Sequence, residues 1–204
     1  VCFTAAGTRG NPFMSALLLT PPALEPVSLA DATHFLRVEH DDDDDVIAAL
    51  IAAARVHVEA KTRRALIDQT WRLVRDVWPA SGRLPVLPVP LQEVTAIRVF
   101  DAEGMPQLLD VDDFAIDRVS APAVLAFARG APPAPGKLTA GIEIDIVVGY
   151  GDEPDAVPAP LRQAIRMLVA HWYENRGVIA ASGEVAAMPQ SVASLIAPFR
   201  VLSL

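Results

Sequence analysis

The chain has 204 residues, 52% of them hydrophobic, which is enough for a packed core and argues against global disorder. Its net charge of −8 argues against a protein that grips nucleic acid by the phosphates, because that mode of binding needs a basic face. The single cysteine, Cys2, excludes an internal disulfide and an all-cysteine metal site, and no apolar run approaches the roughly 18 residues of a membrane span.

Residues 1–26 are predicted to form a flexible N-terminal extension. The first thirteen residues look unlike the rest of the chain, and Met14 would make a natural start, so we expect residues 1–13 to lie upstream of the functional protein. A secretory signal is the rival interpretation. It is weakened by the apolar run Leu17–Leu19, which is shorter than the roughly 7–15 residues that a signal peptide needs.

Two helices are predicted within residues 27–65. Ser28 is a favourable N-cap for the first, Leu29–Arg37, whose inward side chains would be Ala32, Phe35 and Leu36. The second, Asp43–Arg63, repeats apolar residues at helical spacing, with acids at its start and bases at its end. Its alanines would let a neighbouring helix approach closely: Ala48, Ala49, Ala52 and Ala53.

Residues 66–150 change to a hydrophobic period of two, which predicts strands. Ile142–Val148 is the clearest of them. Val94–Phe100 and Gln107–Leu109 are predicted to form a hairpin, because a turn-forming DAEG sequence separates them. Further strands are expected around Trp71 to Val77, at 114–117 and at 124–127, and the proline-broken residues 84–90 would be an edge strand or a linker.

Residues 151–204 are predicted to return to helix. A strand ends in Gly149-Tyr150-Gly151, and Pro158 and Pro160 mark the start of a helix that runs to Arg176. Its apolar stripe is Leu161, Ile165, Leu168 and Trp172. A short helix follows near Gln190–Ile196. The fold class is therefore α+β: a small helical bundle with an antiparallel β subdomain inserted between the second and the penultimate helix.

Catalytic and metal-binding chemistry is weakly signalled. The acidic run Asp41–Asp45 is the best candidate for a cation site, but successive carboxylates on a helix start point about 100° apart. A solvated helix start is the favoured interpretation. The four histidines form no HxH or HxxxH pair, and the chain has no nucleophile elbow and no phosphate-binding glycine loop. We therefore predict neither enzyme activity nor a cofactor.

The chain resembles the head–tail connectors (adaptors) of tailed phages and gene transfer agents. Four patches in the right order carry the resemblance: Thr62–Trp71 (TRRALIDQTW), Leu91–Asp101 (LQEVTAIRVFD), the GYG-to-HWYENR element 149–176, and Leu195–Arg200 (LIAPFR). The residues 1–13 depart from the pattern and gain no support from it.

The resemblance implies a structural virion protein at the head–tail interface, assembled in the bacterial cytoplasm. It would form a ring of about twelve copies between the portal protein and a stopper or other tail-side protein. Packaged DNA would pass through the ring without specific binding, and no membrane would be involved. Expected subunit or portal contacts are Tyr173, Arg176, Phe199, Arg200 and Leu202, and the acids Asp41, Asp42, Asp43, Asp44 and Asp45 would face the channel.

Two alternatives remain open from the sequence. One is a stopper or tail-completion protein of the same particle, which would share the α+β plan. The other is a metal-dependent enzyme that uses Asp41–Asp45.

Overall fold

The computed structural model describes residues 15–128, 130–175 and 188–202. The helices are α1 (Leu29–Leu36), α2 (Asp44–Thr62), α3 (Ala159–Glu174) and α4 (Gln190–Ile196). The strands are β1 (Ser15–Thr20), β2 (Gln69–Arg75), β3 (Arg83–Val86), β4 (Leu91–Phe100), β5 (Pro106–Leu109), β6 (Phe114–Asp117), β7 (Ala123–Phe127) and β8 (Ile142–Val148). The predicted α+β class is confirmed. No helix among the described residues is long and apolar enough to cross a membrane.

The described residues divide into two compact units. The helical unit contains residues 23–67, 150–175 and 188–202, and the β unit contains residues 15–22 and 68–149 apart from residue 129. The chain passes from the helical unit to the β unit after Ile67 and returns at Tyr150.

The helical unit is built on the buried faces of its four helices. Sixteen buried residues form its core: Val27, Ala32, Ile47, Ile51, Ala54, Val58, Leu66, Ile67, Val157, Leu161, Ala164, Ile165, Leu168, Val169, Val192 and Ile196. Leu161, Ile165 and Leu168 are fully buried, as the apolar stripe predicts, and Trp172 packs against the core at its edge. Phe35 was predicted to point inward, but 42% of it is exposed because the short α1 buries only Ala32 fully.

Helix ends follow the local sequence. The Ser28 hydroxyl oxygen accepts a hydrogen bond from the Asp31 N–H at 3.1 Å, so it satisfies one of the free donors at the start of α1. Arg37 and Arg63 end α1 and α2 in the left-handed conformation, each with φ of 58°. At the Arg37 end, the last-turn carbonyls accept backbone hydrogen bonds from outside the helix, which closes it.

The β unit contains two antiparallel sheets. Five strands pair in the order β1-β2-β8-β4-β5, and three pair in the order β3-β7-β6. Leu73, Ile144 and Ile97 lie side by side on the buried face of the larger sheet. Gly149 follows the end of β8, with φ of 150°, and a Cβ there would lie 2.3 Å from the Asp68 Oδ1 atom, so only glycine fits.

The N-terminal strand corrects one prediction. Residues 1–26 were expected to be a flexible extension. Residues 1–14 lie outside the described residues, but Ser15–Thr20 pair with β2 as the edge of the five-stranded sheet. A run of three leucines lacks the alternation that signals a strand, and its pairing partners lie at least fifty residues further along the chain. The predicted strand through Val77 also ends earlier, at Arg75.

Candidate functional site

The outer face of α2 presents a line of small apolar side chains. Val46, Ala49, Ala53, Val56 and Ala60 recur at spacings of three and four, and each of them is exposed. We call this line the outer stripe. The same helix buries Ile47, Ile51, Ala54 and Val58 on its other side. Small side chains allow two helix backbones to approach closely, so the outer stripe is suited to packing against another helix.

The acidic run at the start of α2 is only partly free. Asp41, Asp42 and Asp45 are exposed, whereas Asp43 is half-buried and accepts a hydrogen bond from the hydroxyl of Tyr173. Among the described residues, no three His, Cys, Asp or Glu side chains are grouped as a metal site would require. The run therefore forms an acidic surface in which Asp43 has a structural partner.

The half-buried Tyr173 has contacts within the helical unit. Its position off the apolar stripe suggested that it would face a partner protein. In the structure its ring packs against the helical core and its hydroxyl donates to Asp43, at the start of α2. This hydrogen bond connects the last turn of α3 to the N-cap residue of α2. No local pattern predicts this hydrogen bond, since its two residues lie 130 positions apart.

His57 and Trp172 form a second contact between α2 and α3. Their rings meet edge to face, with centroids 5.9 Å apart and planes at 87°. Burial, with a smaller contribution from the positive charge of Lys61, lowers the pKa of His57 below its usual value. The neutral imidazole is therefore favoured at this position, as expected for a packed histidine.

The C-terminal residues fold back on the helical unit. Phe199 packs against the core, and its carbonyl oxygen accepts a hydrogen bond from Nε of Arg64 at 2.7 Å. Val201 is buried, and its N–H donates to the carbonyl of Thr62 at 3.0 Å. Arg200 and Leu202 remain exposed, Leu202 to 78%. Arg176, the remaining predicted contact residue, lies outside the described residues.

An ion network supports the junction between α2 and the chain that follows. Arg55 donates to Glu25 at 2.8 Å and to Glu59 at 2.9 Å, and the other oxygen of Glu59 accepts from the Leu66 N–H. Burial alone would lower the pKa of Arg55, but the two carboxylates outweigh it and the pKa is raised. The helix that presents the outer stripe therefore has stabilising polar contacts at its start, through Asp43, and near its end, through Glu59.

Comparisons with known proteins show which proteins the chain is similar to. A family model described as "Phage gp6-like head-tail connector protein" matches residues 26–98. No curated protein matches the chain.

Solved gene transfer agent particles match by fold. A chain in the virion of the native gene transfer agent is 25% identical, with a TM-score of 0.79, over 93% of this chain and 96% of that one. A chain in the neck of the empty particle, computed with C6 symmetry, gives the same values. One in the neck of the native particle, computed with C12 symmetry, is 28% identical with a TM-score of 0.71 over 92% and 97%. The predicted resemblance to the phage head–tail connectors is thus confirmed by the family model over residues 26–98. Chains of gene transfer agent virions and necks share the fold over nearly the whole chain.

Proposed function

We propose that this chain is a head–tail connector (adaptor) subunit of a tailed phage or gene transfer agent. Twelve copies form a ring beneath the portal protein, extend the DNA channel and join the head to the tail-side proteins. The observation that carries the proposal is the fold match to a neck chain over 93% of this chain and 96% of that one. Near-complete coverage of both chains means that the whole architecture is shared, and not one common motif.

The helical unit offers a surface for ring contacts. A closed ring needs a heterologous interface, in which one face of each subunit meets a different face of the next. The outer stripe of α2 supplies an apolar face with little side-chain bulk. On α3, Gln163, Ala170 and Glu174 recur at compatible spacing and are at least partly exposed. We assign the subunit contact to these two helix faces.

The acidic surface at the start of α2 faces the DNA channel in this proposal. Copies with a charge of −8, repeated around an axis, create a strong negative field. Such a lumen repels DNA and avoids the tight phosphate contacts that would slow its passage. Exposed Asp41, Asp42 and Asp45 are the side chains best placed to act in this way.

A charge-matched pair of variants tests the channel surface. Asp41, Asp42 and Asp45 are changed together to Asn, and Asp43 is kept because it accepts the Tyr173 hydrogen bond. The control removes three exposed acids of the β unit, with Glu103→Gln, Asp112→Asn and Asp113→Asn. DNA retention and delivery by particles should change in the first variant alone. Unchanged particles, or equal changes in both, would contradict the assignment.

Arg200 and Leu202 are proposed to contact the portal. Deleting residues 198–204 is a poor test, because it removes buried Val201 and its hydrogen bond to Thr62. The double variant Arg200→Glu/Leu202→Asp changes only exposed side chains, and we expect a folded subunit that no longer joins portal rings. Leu138→Asp, at a residue 92% exposed in the β unit, is the control and should bind normally.

Mass photometry tests the function itself. The purified chain is measured alone and then mixed with portal rings from the same genome. A gain of about twelve subunits per portal ring is expected, in line with the C12 symmetry of a similar neck. A chain that ignores the portal and instead binds a tail-side ring would be a stopper or tail-completion protein, and the proposal would be wrong.

A further inference from the structure

The five-stranded sheet ends in two apolar edges. Within the described residues, no strand pairs with the outer side of β1 or of β5. On β1, Leu17, Leu18 and Leu19 are 48%, 40% and 44% exposed. Met105, just before β5, is 65% exposed, and Leu108, within β5, is 69% exposed. Natural proteins usually protect edge strands with charges, because unpaired backbone groups recruit another strand. β1, with the sequence SALLLT, has no charged residue.

The two edge strands run in the same direction. Each of the four pairings across the sheet is antiparallel: β1 with β2, β2 with β8, β8 with β4, and β4 with β5. Four reversals restore the original direction, so β5 is parallel to β1. One step of a ring with the C12 symmetry of a similar neck is a rotation of about 30°, which cannot reverse a strand. Neighbouring copies joined edge to edge would therefore pair β5 with β1 in parallel.

A pairing of two β1 strands does not suit a ring. Two identical edges meet antiparallel around a twofold axis, and that contact is complete with two copies. A ring needs two different edges on each copy, so that one edge pairs with the preceding copy and the other with the following copy. The β unit has such a pair at opposite ends of a single sheet.

The exposed leucines at the two edges share one face of the sheet. Leu17 lies opposite Arg72 in the strand register, and Leu108 lies opposite Arg98. Both arginines donate to the carboxylate of Asp145, so they project from the same face. Leu18 lies opposite Trp71 and belongs to the other face.

We propose that neighbouring copies are joined by parallel pairing of β1 in one copy with β5 in the next, with Leu17 against the neighbour's Leu108. The inference rests on the proposed ring and adds a second contact between neighbouring copies to the one assigned to the helix faces. The bulge after Leu18 and the proline at position 106 confine the pairing to Ala16–Leu18 and Gln107–Leu109. The continuous sheet would cover the apolar side chains that each copy leaves exposed.

Cross-linking in assembled rings tests the proposal. The variant Leu17→Cys/Leu108→Cys is made in a Cys2→Ser background, mixed with portal rings and treated with a short bis-maleimide. A denaturing gel should then show a ladder of covalent multimers. The matched control Leu18→Cys/Leu108→Cys places the thiols on opposite faces and should give at least tenfold less cross-linked product.

A charge exchange provides an independent readout. Leu17→Lys alone should raise the concentration needed for ring assembly at least tenfold, and adding Leu108→Glu in the same chain should restore assembly. If rings form but the ladder is absent, or if L17K assembles normally, the edge pairing is wrong and the connector function stands. If the unmodified chain forms no ring on portals, the proposed function fails and the edge pairing fails with it.

Discussion

The helical unit and the β unit bury their polar groups in different ways. The core cluster of the helical unit is almost entirely aliphatic, and its ion network of Arg55, Glu25 and Glu59 lies at the margin. The β unit places charge inside the sheet layer. Arg75 is 1% exposed, and Asp145 is 7% exposed between Arg72 and Arg98, with oxygen–nitrogen distances of 2.7 Å to each.

The difference extends to the surfaces that each unit offers. The helical unit exposes small side chains along a helix, whereas the β unit exposes large leucines at strand edges. Helix packing is tuned by side-chain size, and strand pairing is set by backbone hydrogen bonds and register. A chain with both surfaces has two different means of holding a neighbour, and each can be weakened without unfolding the other unit's core.

Truncation of the aliphatic core should have the largest effect on stability. Ile165→Ala removes a fully buried side chain from the centre of the helical unit, and we expect a loss of about 2–5 kcal/mol in the free energy of unfolding. Urea denaturation followed by circular dichroism measures it. Val46→Ala removes apolar atoms from an exposed site of α2 and should cost less than about 0.5 kcal/mol. Equal losses would contradict the assignment of the core.

The charged sheet face should give a smaller and acid-dependent effect. Burial would raise the pKa of Asp145, but hydrogen bonds from Arg72 and Arg98 and their charges lower it overall. Because the folded pKa is below the unfolded one, the carboxylate stabilises the fold above about pH 4, and this contribution is lost as the pH falls further.

Asp145→Asn should therefore cost roughly 1–3 kcal/mol at neutral pH, the cost of weakening a buried charged hydrogen bond. It should also flatten the decline in stability between about pH 4 and pH 2, because the group that titrates has been removed. Thermal denaturation across that range is the measurement. Asp112→Asn, at an exposed site of the same unit, should leave both the neutral stability and the acid decline unchanged. A similar loss of unfolding free energy in both variants would mean that the pairing of Asp145 with the two arginines adds no stability beyond that of an exposed carboxylate.

Removal of the α1 cap should cost less again. Ser28→Ala leaves the Asp31 N–H without its hydroxyl acceptor, and we expect a loss of about 1 kcal/mol. Ser194→Ala is a suitable control, since that hydroxyl bonds to a carbonyl within α4 and is not at a helix start. Chemical denaturation should separate the two variants. A neutral result for Ser28→Ala would show that water replaces the cap.

The smallest predicted effect is the pH response of the α2–α3 contact. Since burial lowers the pKa of His57, its neutral form stabilises the fold above about pH 6.5, and that contribution is lost as the pH falls through the folded pKa. His57→Gln should remove less than about 1 kcal/mol of the stability change between pH 7 and pH 5. His34→Gln, at an exposed site of α1, should keep the full response. If the unmodified chain, His57→Gln and His34→Gln show the same dependence of stability on pH, His57 is not the group responsible.

Local signals in the sequence predicted most of the helical unit. The α3 stripe, the Ser28 cap and the bounds of α4 and β8 depend on residues within a few positions of one another. Contacts that join distant segments were missed. β1 was assigned to an extension because its partner strand is remote, and the hydrogen bond from Tyr173 to Asp43 was not predicted because the two residues lie far apart in the sequence. Arg75 lies on the buried side of β2, as the alternation along the strand requires, but its charge would have predicted an exposed side chain.

The order of segments along the chain also determines when each unit can be completed during synthesis. β1 leaves the ribosome first, yet the sheet needs β8, which ends at Val148. The core face of α2 waits for α3, about a hundred residues later, or roughly 5–20 s at ordinary rates of translation. During that interval Ile47, Ile51 and Val58 have no partner from α3. The apolar face of α2 is therefore without its α3 partners until after the last strand of the β unit has been synthesised, and the β unit is the first that can be completed.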